Sequence, residues 1–279
     1  MDRANVNGVE LEFEVQGSGE PILLIHGSHV AAAMEPLMSQ DVLAGRYKLI
    51  HYHRRGFAGC TPTDAPLAIS EQAADAAALL AHLGIERAHF AGHSYGGAIA
   101  LQLAVDRPRV VHSLALLEPA LLMVPSAEET MNNLGPAIAA YEAGKKSEAV
   151  AIFLSFISGL DWESCQELIG TANVEQALAD ADTFFACELP ALGEWAFGPE
   201  QASAIKQPVL SVVGSESIGA FVEGRELIHS WFPQAEDFDL QGAGHLLQVQ
   251  RPREMAQGLA DFIARHPMVA EPAGTATSG

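Results

Sequence analysis

The sequence is poor in cysteine, poor in basic residues and without a long apolar run, and each shortage closes off a class of function. Its three cysteines, Cys60, Cys165 and Cys187, are irregularly spaced among 279 residues. So sparse and odd a set argues against a disulfide framework and against a zinc site; idle thiols in a reducing compartment are expected. Lysine and arginine total 15 against 35 acids, a formal net charge of −20. Arg54-Arg55 is a pair and not a cluster. A field of this sign repels phosphate backbones and anionic lipid, so neither nucleic acid nor membrane is an expected partner. The longest apolar stretch, residues 114–125, is broken by Glu118 and Pro119 and falls well short of the ~20 residues that span a bilayer. The opening residues, Met1-Asp2-Arg3-Ala4-Asn5, lack the basic-then-apolar pattern of a secretory signal, and a cytoplasmic location is expected.

What is present suffices for a large core. Hydrophobic residues make up 49% of the chain, and the length suits one α/β core carrying an inserted subdomain. Residues 9–15 alternate apolar and polar, the period of a half-buried strand. Pro21-Ile22-Leu23-Leu24-Ile25 is a continuous apolar run, as in a strand covered on both faces. Residues 47–52, 89–91, 110–117 and 208–213 read as further strands, and Phe238 and Leu240 mark a last one. Ser70 is placed to cap a helix ending near Gly84, a second helix is expected over 95–105, and Pro252 suits the first turn of a third. Met255, Leu259, Phe262 and Ile263 share one face of that last helix. Strands alternating with helices predict an α/β fold with a mostly parallel sheet wrapped on both sides. The expected division is a core of residues 1–118 and 208–266, a helical cap of 119–207, and a small, polar, disordered tail of 267–279.

The sharpest motif is Gly92-His93-Ser94-Tyr95-Gly96-Gly97. It matches G-x-S-x-G and lies between an expected strand and an expected helix, where a tight turn presents a serine hydroxyl at the helix N-terminus. A chance glycine-rich turn is the bland alternative. A serine hydroxyl needs a base. Of 11 histidines, His245 in Gly242-Ala243-Gly244-His245 lies on a loop after the last strand, at the same sheet edge as Ser94. His82, His112, His229 and His266 read as surface or packing residues, His51 and His53 are ambiguous, and His26 reads as a structural hydrogen-bonding group. Two backbone N–H groups are candidates to hold an oxyanion: that of Tyr95, directly after the serine, and that of Ser28, with Gly27 as its competitor.

Over roughly residues 6–266 the chain resembles the α/β-hydrolase superfamily. The matching pieces are Ile25-His26-Gly27, Tyr52-His53-Arg54-Arg55-Gly56-Phe57-Ala58-Gly59, the glycine-flanked Ser94, and Gly244-His245. The second piece departs from the family, which often carries Asp at the place of His53. The resemblance implies the order Ser, acid, His, with the acid usually after the strand that follows the cap. That position is Ser217 here, and a hydroxyl cannot stabilise an imidazolium as a carboxylate does. Glu118 is the preferred replacement: it ends the run 110–117 in an apolar setting where an idle carboxylate is costly. In acid placement this is similar to the zearalenone lactonases and some haloalkane dehalogenases. Glu216 is the competing acid, and a purely structural Glu118 is the bland alternative.

A serine hydrolase acting through an acyl-enzyme on an uncharged, largely apolar ester or lactone is the expected function, with neither cofactor nor metal. Gly27, Met123, Phe156, Trp195 and Leu246 are candidate pocket residues for a small-molecule substrate. A homo-oligomer stays open. So do C–C bond hydrolysis or cofactor-free oxygenation on the same fold, and a receptor-like protein of low turnover.

Overall fold

The apolar runs assemble into one eight-stranded sheet. A computed structural model describes residues 1–268, so of the tail expected to be disordered, 269–279 lie outside the described residues. Met268 lies inside them, and its N–H donates to Glu20 at 2.9 Å. The strands are β1 (Asp2–Val6), β2 (Val9–Gly17), β3 (Glu20–Ile25), β4 (Tyr47–Tyr52), β5 (Ala88–His93), β6 (Val111–Leu117), β7 (Val209–Gly214) and β8 (Glu236–Leu240). They lie in the order β1-β2-β4-β3-β5-β6-β7-β8. β1 and β2 form an antiparallel hairpin and β2 runs antiparallel to β4; every other neighbouring pair is parallel. The hairpin turns on Asn7 (φ 50°) and Gly8 (φ 78°), the two positive φ angles that a tight two-residue hairpin demands. β1 was not anticipated. It is short, and only Ala4 and Val6 of its residues are buried.

Ile22, Leu23, Leu24 and Ile25 of β3 are fully buried, each contributing on the order of 1.5–3 kcal/mol. Leu23 and Ile25 face one layer of helices; Ile22 and Leu24 face the other. The helices Ile69–His82 and Tyr95–Asp106 pack in the first layer, and Pro252–Arg265 in the second, burying Met255, Leu259, Phe262 and Ile263. The first of these helices starts one residue before the expected cap. Its N-cap is Ala68, whose N–H donates to the Glu71 side chain at 3.1 Å, so Ser70 lies inside the first turn. A further helix, Gly219–Trp231, follows β7.

Between β6 and β7 the chain is helical: Ala127–Glu142, Lys146–Ser158, Trp162–Ile169, Thr171–Ala179, a π-helical turn Thr183–Glu188, Leu189–Glu194 and Pro199–Ser203. Leu134, Phe153, Leu154, Phe184 and Phe185 build an apolar cluster of their own, which reaches Val30 and Leu246 at the sheet edge. Among the described residues, no helix is long and apolar enough to cross a membrane.

The chain leaves β3 for β4 on one side and reaches β5 on the other. Connections that diverge in this way open a crevice at the C-terminal strand ends. Ser28 follows β3 and Ser94 follows β5 at that crevice.

Candidate active site

Ser94 sits alone between β5 and the helix Tyr95–Asp106, with φ 53° and ψ −119°. The turn is held from both directions. Its N–H donates to Leu117 at 2.9 Å, and its carbonyl accepts from Gly97 and Ala120, both at 2.9 Å. The flanking glycines are steric requirements. A Cβ on Gly92 would lie 2.4 Å from the Gly96 carbonyl oxygen, and one on Gly96 would lie 2.3 Å from that of Ile25.

β6 runs beside β5 and delivers Glu118 next to the serine turn. Glu118 also has positive φ, 44°, and its N–H donates to Val212 of β7 at 3.1 Å. Its carboxylate is 1% exposed and fully engaged. Oε2 lies 2.7 Å from Nδ1 of His245. Oε1 accepts the Gly214 N–H at 2.8 Å and the Ser217 hydroxyl. A buried carboxylate facing Nδ1 fixes the proton there and leaves Nε2 as the free base. The His245 ring is clamped by stacking on Phe221, with centroids 4.1 Å apart and planes at 6°, and by the His93 ring at 4.6 Å. Nε2–H of His93 donates to the His245 carbonyl at 2.8 Å. Burial, then the neighbouring His245, holds the His93 imidazole well below the usual histidine range, so it acts as a neutral donor. Among the described residues no hydrogen bond joins Ser94 to His245; such bonds often tighten only on substrate binding.

The loop after β3 meets the same turn. A Cβ on Gly27 would lie 2.9 Å from that of Ser94. The N–H groups of Ser28 and Tyr95 donate to no group of the described residues. Behind the loop, Arg54, 1% exposed, donates from Nε to the His26 carbonyl at 3.1 Å and from Nη2 to the Gly27 carbonyl at 2.9 Å. Its remaining donor reaches Gln72 and the buried carboxylate of Glu188, whose other oxygen takes the Ser28 hydroxyl at 2.7 Å. His26 Nε2 accepts the Arg54 N–H at 3.0 Å, the structural role expected for it.

Ser28, Ser94 and Tyr95 open on one cavity. Its apolar wall includes Leu121, Met131, Leu134, Phe153, Phe184 and Phe221, and among the described residues no lysine or arginine lines it.

A model of the alpha/beta hydrolase family matches residues 22–258. The chain belongs to that family. It is 36% identical over 118 residues to a putative carbamate hydrolase RutD of Azorhizobium caulinodans, a match covering 42% of this chain and only 44% of that relative. It is 26% identical over 267 residues to the 2-hydroxymuconate semialdehyde hydrolase of a Pseudomonas strain, covering 92% and 91%. A thermophilic esterase from Thermogutta terrifontis has the same fold, with a TM-score of 0.79 and 22% identity over 96% of this chain and 100% of that one.

Within this family member the sequence candidates fall into two groups. Glu118 and His245 meet, and Ser28, Ser94 and Tyr95 share one cavity. Glu216 is exposed and makes no bond to His245; Ser217, at the usual acid position, instead donates to Glu118. None of the five candidate pocket residues is among those lining this cavity. Gly27 is packed under Ser94, and Trp195 donates Nε1–H to Gln102 at 2.8 Å. Phe156 and Leu246 belong to the cap cluster, and Met123 packs against the sheet layer. Three groups of this site escaped the sequence reading. His93 looked like the variable residue of its motif, Phe221 lies on a helix that was not anticipated, and Glu188 comes from the π-helical turn. Only His93, inside the motif, had a local signal. Where the family often has Asp, His53 pairs through Nδ1 with Glu12 at 3.1 Å.

Proposed function

We propose that this hydrolase cleaves an uncharged, largely apolar carboxylic ester or lactone through an acyl-enzyme on Ser94. One observation carries the reading: the buried Glu118–His245 pair lies beside a serine turn that opens on an apolar cavity without a basic side chain. In this mechanism His245 Nε2 takes the Ser94 proton as Oγ attacks the carbonyl carbon. The N–H groups of Ser28 and Tyr95 receive the oxyanion. On collapse, the leaving oxygen takes the proton from His245. Water, deprotonated by the same imidazole, then releases the acid. Glu118 holds the tautomer and stabilises the imidazolium.

The full-length match to a semialdehyde hydrolase supports C–C bond hydrolysis as a second reading. A muconate-type carboxylate would find no counter-charge in the wall, and burying an unpaired anion is costly, so the ester or lactone reading is preferred. The test is a panel of p-nitrophenyl esters, lactones and a meta-cleavage-type dienoate, run on wild type and on Ser94→Ala, Glu118→Ala and Glu216→Ala. Ester or lactone turnover that collapses in the first two variants and persists in the third is the expected result. Full activity in Ser94→Ala overturns the nucleophile. Collapse in Glu216→Ala alone overturns the acid. Turnover of the dienoate alone selects the second reading, and absence of lasting turnover selects a receptor-like protein.

A further inference from the structure

Strand β4 ends in His51-Tyr52 and His53 follows directly, so the alternation of extended chain puts the two imidazoles on one side. His51 is fully buried and His53 is 8% exposed. Each ring has one nitrogen committed. His51 Nε2 lies 3.2 Å from the Ala31 carbonyl oxygen, a contact that requires the proton on Nε2. His53 Nδ1 lies 3.1 Å from a Glu12 carboxylate oxygen, which places the proton on Nδ1. The opposite nitrogens, His51 Nδ1 and His53 Nε2, are thereby left with lone pairs. Both are buried and neither has a hydrogen-bond partner. Two unsatisfied acceptors in a protein interior are expensive, and a bound cation would satisfy both. One ring nitrogen of each histidine and a carboxylate oxygen of exposed Glu35 all lie within 4.8 Å of one another.

We propose that Glu35, His51 and His53 bind a divalent transition-metal ion of the zinc type. Two imidazoles and a carboxylate, with a fourth position left for water, are a common donor set for such ions. The supporting shell is also present. Metal-bound histidines typically donate their other N–H to a carboxylate or a backbone carbonyl, and Glu12 and Ala31 supply one of each. Hard cations that prefer all-oxygen sites, such as Mg²⁺, fit poorly. The scarcity of cysteine bears only on thiolate ligands and leaves this donor set untouched. None of the three residues lines the Ser94 cavity. The ion would fasten the loop after β3, which carries Ser28 and Ala31, to the end of β4.

The test is Zn²⁺ titration of the chelator-treated full chain, read by calorimetry, by metal content after gel filtration and by Tm. Co²⁺ is titrated in parallel for its visible absorption, and Mg²⁺ serves as the hard-cation control. About one Zn²⁺ per chain is expected, with a raised Tm and no response to Mg²⁺. Glu35→Gln alters only an exposed side chain and should still fold while weakening Zn²⁺ binding at least ~10-fold; His53→Asn should do the same. His229→Asn and His266→Asn, which remove surface histidines paired with carboxylates, should leave binding unchanged. Absence of stoichiometric binding overturns the proposal. So does affinity unaffected by Glu35→Gln and His53→Asn, or affinity lost only in the two surface variants.

Discussion

Ser94 and Glu118 both hold positive φ, at 53° and 44°, a backbone region that costs a non-glycine residue about 1–3 kcal/mol. Neighbouring strands impose it, since Ser94 donates to Leu117 and Glu118 donates to Val212. Because those restraints are backbone bonds, the side chains can be changed without dismantling the turn. Ser94→Ala should lose ~10⁴-fold or more in kcat/KM, and Glu118→Gln ~10³–10⁴-fold. Both should keep a near-native Tm by calorimetry. Gly96→Ala should behave in the opposite way. Its Cβ would meet the Ile25 carbonyl at 2.3 Å, so a loss of about 3 kcal/mol or more in urea unfolding is expected.

At the scale of elements, the ends of β6 and β7 share one carboxylate. Glu118 supplies it, and Gly214 and Ser217 hold its second oxygen. Adding a second acid at Ser217 would set two like charges side by side and raise the pKa of one. Ser217→Asp alone should therefore lower kcat/KM. Glu118→Ala combined with Ser217→Asp should recover at least ~10-fold over Glu118→Ala by moving the acid to the family's usual strand. The serine turn was legible in the sequence because its constraints are local: Gly92, Gly96 and Gly97 are demanded by atoms a few residues away or on the adjacent strand. That Glu118 and His245 come together could be inferred from strand adjacency. The pocket wall could not. Phe153 and Ile157 lie one helical turn apart and face the cavity, while Phe156 on the same helix packs into the cap. Which row points inward depends on how the cap helices rotate against the sheet, and no local pattern encodes that. Glu188 was hidden for a related reason, since a π-helical turn shifts side chains off the ordinary helical register.

In the molecule as a whole, the cap is tied to the core by a buried ion pair. Arg54 of the core and Glu188 of the cap are 1% and 0% exposed, and together they brace the Gly27 carbonyl and the Ser28 hydroxyl. Arg54→Met leaves Glu188 unpaired and should cost ~3–5 kcal/mol, while Arg54→Met with Glu188→Met should cost much less; a double-mutant cycle in urea reads the difference. Acid sensitivity has a separate origin. Burial against Phe153, Phe184 and Phe185 pushes His29 down to about 3, against ~6.5 in an unfolded chain. Between those values the unfolded state binds the extra proton, so the contribution of His29 to stability is complete above ~6.5 and is lost as pH falls, by up to ~1.4 kcal/mol per pH unit. His29→Asn tolerates the positive φ of 64° and should give a shallower fall in urea midpoint from pH 7 to pH 5. The position of Glu118 carries a last consequence. Ser94 and Glu118 both precede the cap in the chain, and only His245 follows it. A cap transplanted from another family member would therefore cross neither half of the Ser94–Glu118 segment, which makes chimeras spliced at the two cap boundaries a direct route to new substrate ranges on an unchanged reaction centre.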